Sequence, residues 1–113
     1  MSKDNGERNA QKRGIMITAW EIARRTGKTM AEALKTAWLV FKLKAKAAAG
    51  IVYFSYVKKD GSVRVARGTT RADHITYTPN GRGTSTPSHL FRYWDMGAAG
   101  YRMFDKANLV TVA

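Results

Sequence analysis

The sequence predicts an α+β domain in which an N-terminal helical hairpin is followed by a small five-stranded antiparallel β-barrel. Three observations carry that reading. Thr18 with Glu21, and Thr29 with Glu32, have the spacing of two capping boxes, each able to open a helix. Residues 50–69 hold two runs of β-branched and aromatic residues meeting at Asp60-Gly61. Asp-Gly marks a hairpin because Gly takes positive φ freely and Asp tolerates it. Residues 89–112 then return to strand composition, broken only by short turn-like stretches.

Taken in order, residues 1–14 are polar, basic and without period, and are expected to form a disordered arm. Residues 15–49 form the two-helix segment. Its first helix is expected over residues 19–26, with Trp20, Ile22 and Ala23 as apolar content and Gly27 as its stop. The second is expected over residues 30–48, ended by Gly50. Met30, Ala33, Leu34, Ala37, Trp38, Phe41 and Ala45 recur at three and four residues and make one apolar stripe. Trp38 and Phe41 on that stripe call for burial, which favours a packing helix over the exposed recognition helix of a helix-turn-helix.

Residues 50–113 supply the strands. In the second strand, Val63 and Val65 face opposite to Arg64 and Ala66, because side chains alternate along a strand, so Arg64 is expected to face out if those valines fill the core. Ile75 to Thr78 has strand composition, Pro79-Asn80-Gly81 is a turn, and residues 82–88 read as a loop of glycine, hydroxyls and Arg82 that could wrap a phosphate. Strands at residues 89–95, 101–104 and 109–112 complete five, the order of small SH3-like and Sm-like barrels.

Composition narrows the chemistry. The 113 residues include no cysteine, which excludes disulfides and thiolate metal sites. No apolar run reaches the roughly 20 residues of a membrane span. A cytoplasmic place in a bacterial host cell is therefore expected, or a place in a virion, with no membrane partner. Twenty Lys and Arg against eight Asp and Glu leave a net charge of +12, an excess that points to a polyanion. It is spread along the chain: residues 1–50 carry 11 basic and 4 acidic side chains, and residues 51–113 carry 9 and 4.

No catalytic constellation is visible. His74 and His89 stand in different segments, and the aspartates sit singly, Asp60 and Asp105 at turns. The expectation is a protein that is not an enzyme, with no metal and no cofactor. Arginine interleaved with aromatics is present instead, in Phe91-Arg92-Tyr93-Trp94 and Tyr101-Arg102-Met103-Phe104. Guanidinium groups beside rings can hold phosphates while rings stack bases. Arg24, Arg25 and Lys28, at the turn between the helices, are further phosphate candidates.

The run from Phe54 to Thr69, with Tyr93-Trp94-Asp95, Tyr101-Arg102-Met103-Phe104 and Leu109-Val110-Thr111-Val112, resembles the small WYL-like proteins with an Sm-like SH3 β-barrel found in Bacteroides and their phages. The helical lead, including Ala19-Trp20-Glu21-Ile22 and Ala31-Glu32-Ala33-Leu34, resembles the segment that often precedes that barrel, so the likeness covers residues 17–112. It implies a ligand-sensing module for nucleic acid or nucleotides, with Arg64, Arg67, Tyr93 and Arg102 as contacts on the barrel. The leading expectation is thus a non-catalytic nucleic-acid-binding accessory or regulatory protein of a phage or mobile element. The alternatives are a nucleotide or second-messenger module with a regulatory or anti-defence role, and a structural component of a phage particle. Homo-oligomers, or a phage-assembly partner, belong with the last.

Overall fold

A computed structural model of the chain describes residues 2–75 and 86–113, with side chains from residue 9 onward. Two helices, α1 (Ser2–Thr26) and α2 (Met30–Ala49), precede the strands β1 (Val52–Val57), β2 (Val63–Thr69), β3 (Leu90–Asp95), β4 (Gly100–Asp105) and β5 (Leu109–Val112). All neighbouring strands are antiparallel, in the order β4-β3-β2-β1-β5. The expected α+β, SH3-like/Sm-like arrangement is what the chain forms.

The sheet is strongly curled. Tyr56 on β1 and Phe104 on β4 stand three strands apart in the pairing order, yet their rings stack with centroids 4.1 Å apart. In a flat sheet three strand spacings would separate them by about 14 Å. The concave side holds Phe54, Tyr56, Ala66, Phe91, Tyr93, Phe104, Leu109 and Val112, and Val40, Leu43 and Ala47 of α2 close one end of it. Two contacts fasten that closure: the Thr69 hydroxyl and the Thr70 N–H both donate to the Ala47 carbonyl, at 3.0 and 3.1 Å. Tyr93 lies at the centre, and its hydroxyl is paired with that of Tyr56 at 2.9 Å.

Gly68 is what lets β2 pass over that ring. A Cβ there would fall inside contact distance of Tyr93 Cδ2 and 3.0 Å from the Trp94 carbonyl oxygen. Gly68→Ala is expected to cost roughly 1–3 kcal/mol, as overpacking of a filled core does. Urea unfolding would read this as a lower midpoint with an unchanged slope.

Several expectations are corrected. The segment read as a disordered arm is helical, since α1 begins at Ser2 and not at residue 19. Residues 9–14 are exposed along it. Thr18 is accordingly no cap: its hydroxyl donates to the Gly14 carbonyl at 3.0 Å. The second box does form, with Glu32 N–H donating to Thr29 Oγ1 and Thr29 N–H to Glu32 Oε1, each at 3.2 Å.

The single stripe assigned to α2 is also revised. Ala33 and Ala37 pack with Ile15, Ala19 and Ile22 of α1, whereas Val40, Leu43 and Ala47 enter the sheet core. A helix between two partners needs two apolar faces, and Trp38, between them, is 55 % exposed.

The facing of β2 is inverted. Val63 and Val65 are 58 % and 77 % exposed, and Ala66 and Gly68 are buried, so Arg64 points to the concave side. The hairpin turn differs too. Gly61 N–H donates to the Lys58 carbonyl at 3.0 Å, and within this turn Gly61 alone has positive φ, at 89°. This is a turn followed by a left-handed glycine, not a two-residue Asp-Gly turn. Asp60 instead accepts from the Ser62 N–H and hydroxyl. Of the strand expected at residues 75–78, Ile75 follows a 3₁₀ turn, Ala72–His74, without pairing, and the remainder lies outside the described residues.

Candidate nucleic-acid interface

At the end of the barrel away from Ala47 and Val52, the hairpin turn and the β4 strand border a cleft of about 800 Å³. Lys58, Lys59 and Arg64 reach it from the hairpin, Arg102 from β4 and His89 from the approach to β3. Its floor is formed by Tyr56 and Phe104, stacked as part of the core. The inverted facing of β2 is what puts Arg64 here: it sits opposite Tyr56 across the β1–β2 pair, and both belong to the concave side.

Two carboxylates also line the cleft, and both are engaged. Asp60 is tied to Ser62 in its own turn, with Lys58 Nζ 3.9 Å away. Asp105 accepts a two-pronged pair from Arg25, with Nη2 at 2.7 Å and Nη1 at 2.9 Å. Arg64 and Lys59 have no carboxylate partner among the described residues. Arg102 has one at its root: Nε stands 3.0 Å from Asp95 Oδ2. The Nε–H misses hydrogen-bond geometry there, so this is a charge contact that leaves the guanidinium's outer nitrogens for the cleft. Asp95 is itself set by the β3–β4 turn, accepting from the Gly97 and Ala98 N–H groups at 2.8 and 3.0 Å.

Residues 40–110 match the family profile described as WYL_2, Sm-like SH3 beta-barrel fold. The chain belongs to the WYL_2 family. Comparison with curated proteins and with solved structures returns no match.

Of the candidate contacts read from the sequence of this WYL_2 protein, the fold brings only Arg64 and Arg102 together. Arg67 and Arg92 lie on the convex side. Arg92 is stacked over the Tyr101 ring, with its guanidinium carbon 3.9 Å from the ring centroid. Tyr93 is 1 % exposed, so its ring is core and cannot stack a base. Burial pushes its hydroxyl pKa up, and the bond to Tyr56 adds to this. Arg24 is exposed on α1, far from the strands that build the cleft in sequence and without a described ion pair. Lys28 donates to the Ala107 carbonyl at 3.3 Å. Arg82 lies outside the described residues.

Lys58, Lys59 and His89 are the cleft residues that sequence reading passed over. Consecutive lysines just before an Asp-Gly turn were the available signal, since a turn projects them past the strand ends. Among the described residues no three His, Asp or Glu side chains lie together in a metal-binding arrangement, and no helix is long and apolar enough to cross a membrane.

Arg25 serves the fold in this WYL_2 protein. The Arg25 guanidinium holds the Asp105 carboxyl below the usual carboxylate range, more strongly than partial burial raises it. Asp105 also accepts from the Ala107 N–H at 2.9 Å. A carboxyl with a depressed folded pKa stabilises above its unfolded value of about 3.9, and loses that contribution as pH falls through the folded value. Arg25→Ala should therefore lower the urea midpoint above about pH 4 and converge on the parent at lower pH. Both side chains are about one-third exposed, so the difference should be ~1 kcal/mol or less. Lys106 has the same pH sign for a different reason, since here the fold disfavours the charged form. Burial, and then Lys44 beside it, push its ammonium pKa down to about 8. The unfolded chain thus holds this proton longer, and stability from this group rises between about pH 8 and 10.4.

Proposed function

We propose that this protein is a non-catalytic nucleic-acid-binding module of an accessory or regulatory kind, and that the cleft between the hairpin turn and β4 takes the phosphate backbone. The observation that carries this is the convergence of Lys58, Lys59, Arg64 and Arg102 on one cleft whose carboxylates are already engaged. Two of those cations stand on strands, where less side-chain and backbone freedom is lost on binding than on a mobile segment. The net charge of +12 supplies the longer-range attraction.

Titration with single- and double-stranded DNA and RNA at several salt concentrations tests the reading. Binding that weakens steeply with salt is expected, because each neutralised phosphate releases counterions. Absence of salt-sensitive binding even at about 50 mM salt, where that attraction is strong, would sink it.

The cleft's volume favours a second reading. About 800 Å³ lies within the range of small-molecule sites, roughly 300–1,000 Å³, and would accommodate a nucleotide with its phosphates on the arginines. That ligand would give a thermal shift with one nucleotide and not others, persisting at salt concentrations that release a polynucleotide.

A further inference from the structure

The convex side of the β5-β1-β2 part of the sheet is apolar and carries no covering element among the described residues. Ile51, just before β1, with Tyr53 on β1 and Val63 and Val65 on β2, are 42, 55, 58 and 77 % exposed. Side-chain alternation and the strand register put them on one face: Val57 lies opposite Val63, Ser55 opposite Val65 and Tyr53 opposite Arg67. The polar groups at its centre satisfy each other, since the Ser55 and Thr111 hydroxyls are 2.6 Å apart. A face of this composition is not what an antiparallel sheet shows to water, where alternation normally leaves polar residues outside.

Charge says what would cover it. The outward positions of β1, β2 and β5 carry Arg67 and no carboxylate. The carboxylates of the β-rich half are placed elsewhere: Asp95 in the β3–β4 turn, Asp105 on Arg25, Asp60 on Ser62 and Asp73 on Arg71. A second copy would set one +12 chain against another and bring Arg67 toward cations. The two valines, which offer no ring for a base to stack on, are the most exposed of these side chains, and that favours a protein partner over a single strand.

We infer that this face is a docking surface for an acidic amphipathic helix of another protein, its apolar stripe on Tyr53, Val63 and Val65 and its carboxylates toward Arg67. A helix is the usual cover for an open sheet face. The six residues of β1 span about 20 Å, the length of about 14 helical residues.

The probe is a labelled 14-residue peptide with leucines at i, i+3, i+4 and i+7 and glutamates elsewhere, titrated by fluorescence anisotropy. One control has the same composition with leucines spread around the helix, and a second has lysine in place of glutamate. Saturable one-to-one binding of the acidic striped peptide is expected, at least about tenfold tighter than either control, and weakened at least about tenfold by Val65→Glu. Val65→Thr, which keeps the branched shape suited to a strand, should weaken it in the same direction and serves if Val65→Glu unfolds. The Arg64→Gln/Arg102→Gln protein should bind the peptide like the parent, which separates this surface from the cleft. Equal binding of the unstriped peptide, or no binding at all, overturns the inference. So does a parent dimer in sedimentation that Val65→Glu dissolves, or oligonucleotide binding that Val65→Glu weakens.

Discussion

Tyr93→Ala is expected to destabilise the domain by roughly 3–5 kcal/mol, the range for deleting a large buried ring. Small domains hold about 5–15 kcal/mol in total, so this variant should melt early or fail to accumulate. The reason is position. The Tyr93 ring contacts Phe54 and Phe104 with centroids 4.9 and 6.1 Å away, and Phe91 at 6.4 Å, so its loss opens a cavity among side chains from three other strand positions. Gly68 passes directly over it, and that backbone cannot close the gap without moving β2. Its hydroxyl gives a second measurement. Tyr93→Phe leaves the Tyr56 hydroxyl without its partner inside the core, at a cost of about 1–3 kcal/mol. The double variant Tyr56→Phe/Tyr93→Phe removes both polar groups and should recover most of that loss. Denaturant midpoints for the two singles and the double form a cycle that reads the coupling directly. If the double is as unstable as the sum of the singles, the hydroxyl pair is not what holds the two rings in register.

The largest effect on binding is expected from Arg64→Gln with Arg102→Gln. Each lost phosphate contact should reduce the slope of log affinity against log salt by about 0.9 on duplex DNA, and the loss should be nearly uniform across sequences, since phosphates carry no base identity. Arg64 has no ion pair among the described residues, so its replacement should leave stability close to the parent. Arg102 contacts Asp95 at 3.0 Å, and its replacement carries whatever that partly exposed contact contributes, ~1 kcal/mol at most. Arg67→Gln with Arg92→Gln is the matched control, with the same charge removed from the convex side. If the control pair lowers the salt slope and the cleft pair does not, the binding face is the convex one and the cleft reading is wrong.

The contrast between the two pairs shows where sequence reading stops. Alternation separates Arg92 and Trp94 from Phe91 and Tyr93, because a strand's period of two is local. It did not say which of the two faces of β2 is inside. Valines at 63 and 65 outweigh Ala66 and Gly68 in hydrophobicity, yet only small residues fit beneath the Tyr93 ring, and the valines are left on the other side. Arg64 thereby moved from an outward position to the cleft. Tyr93, an apparent stacking ring, became core because curling brings β1, β3 and β4 rings together.

The sequence by itself determined the order of elements, the Thr29-Glu32 cap, the hairpin about Gly61, the strands from Leu90 to Val112 and the basic excess. Those features depend on residues within a few positions of one another, or on composition alone. Thr18-Glu21 has the same spacing as the real cap, and nothing local distinguishes them. Only the continuation of α1 through Gly14 makes Thr18 an interior residue. The two-faced packing of α2, the inward turn of Arg64, the engagement of Asp105 by Arg25 and the cleft itself were decided by tertiary structure. Each joins residues tens of positions apart, such as Arg25 and Asp105, and their meeting is set by how the sheet curls and where α2 closes it.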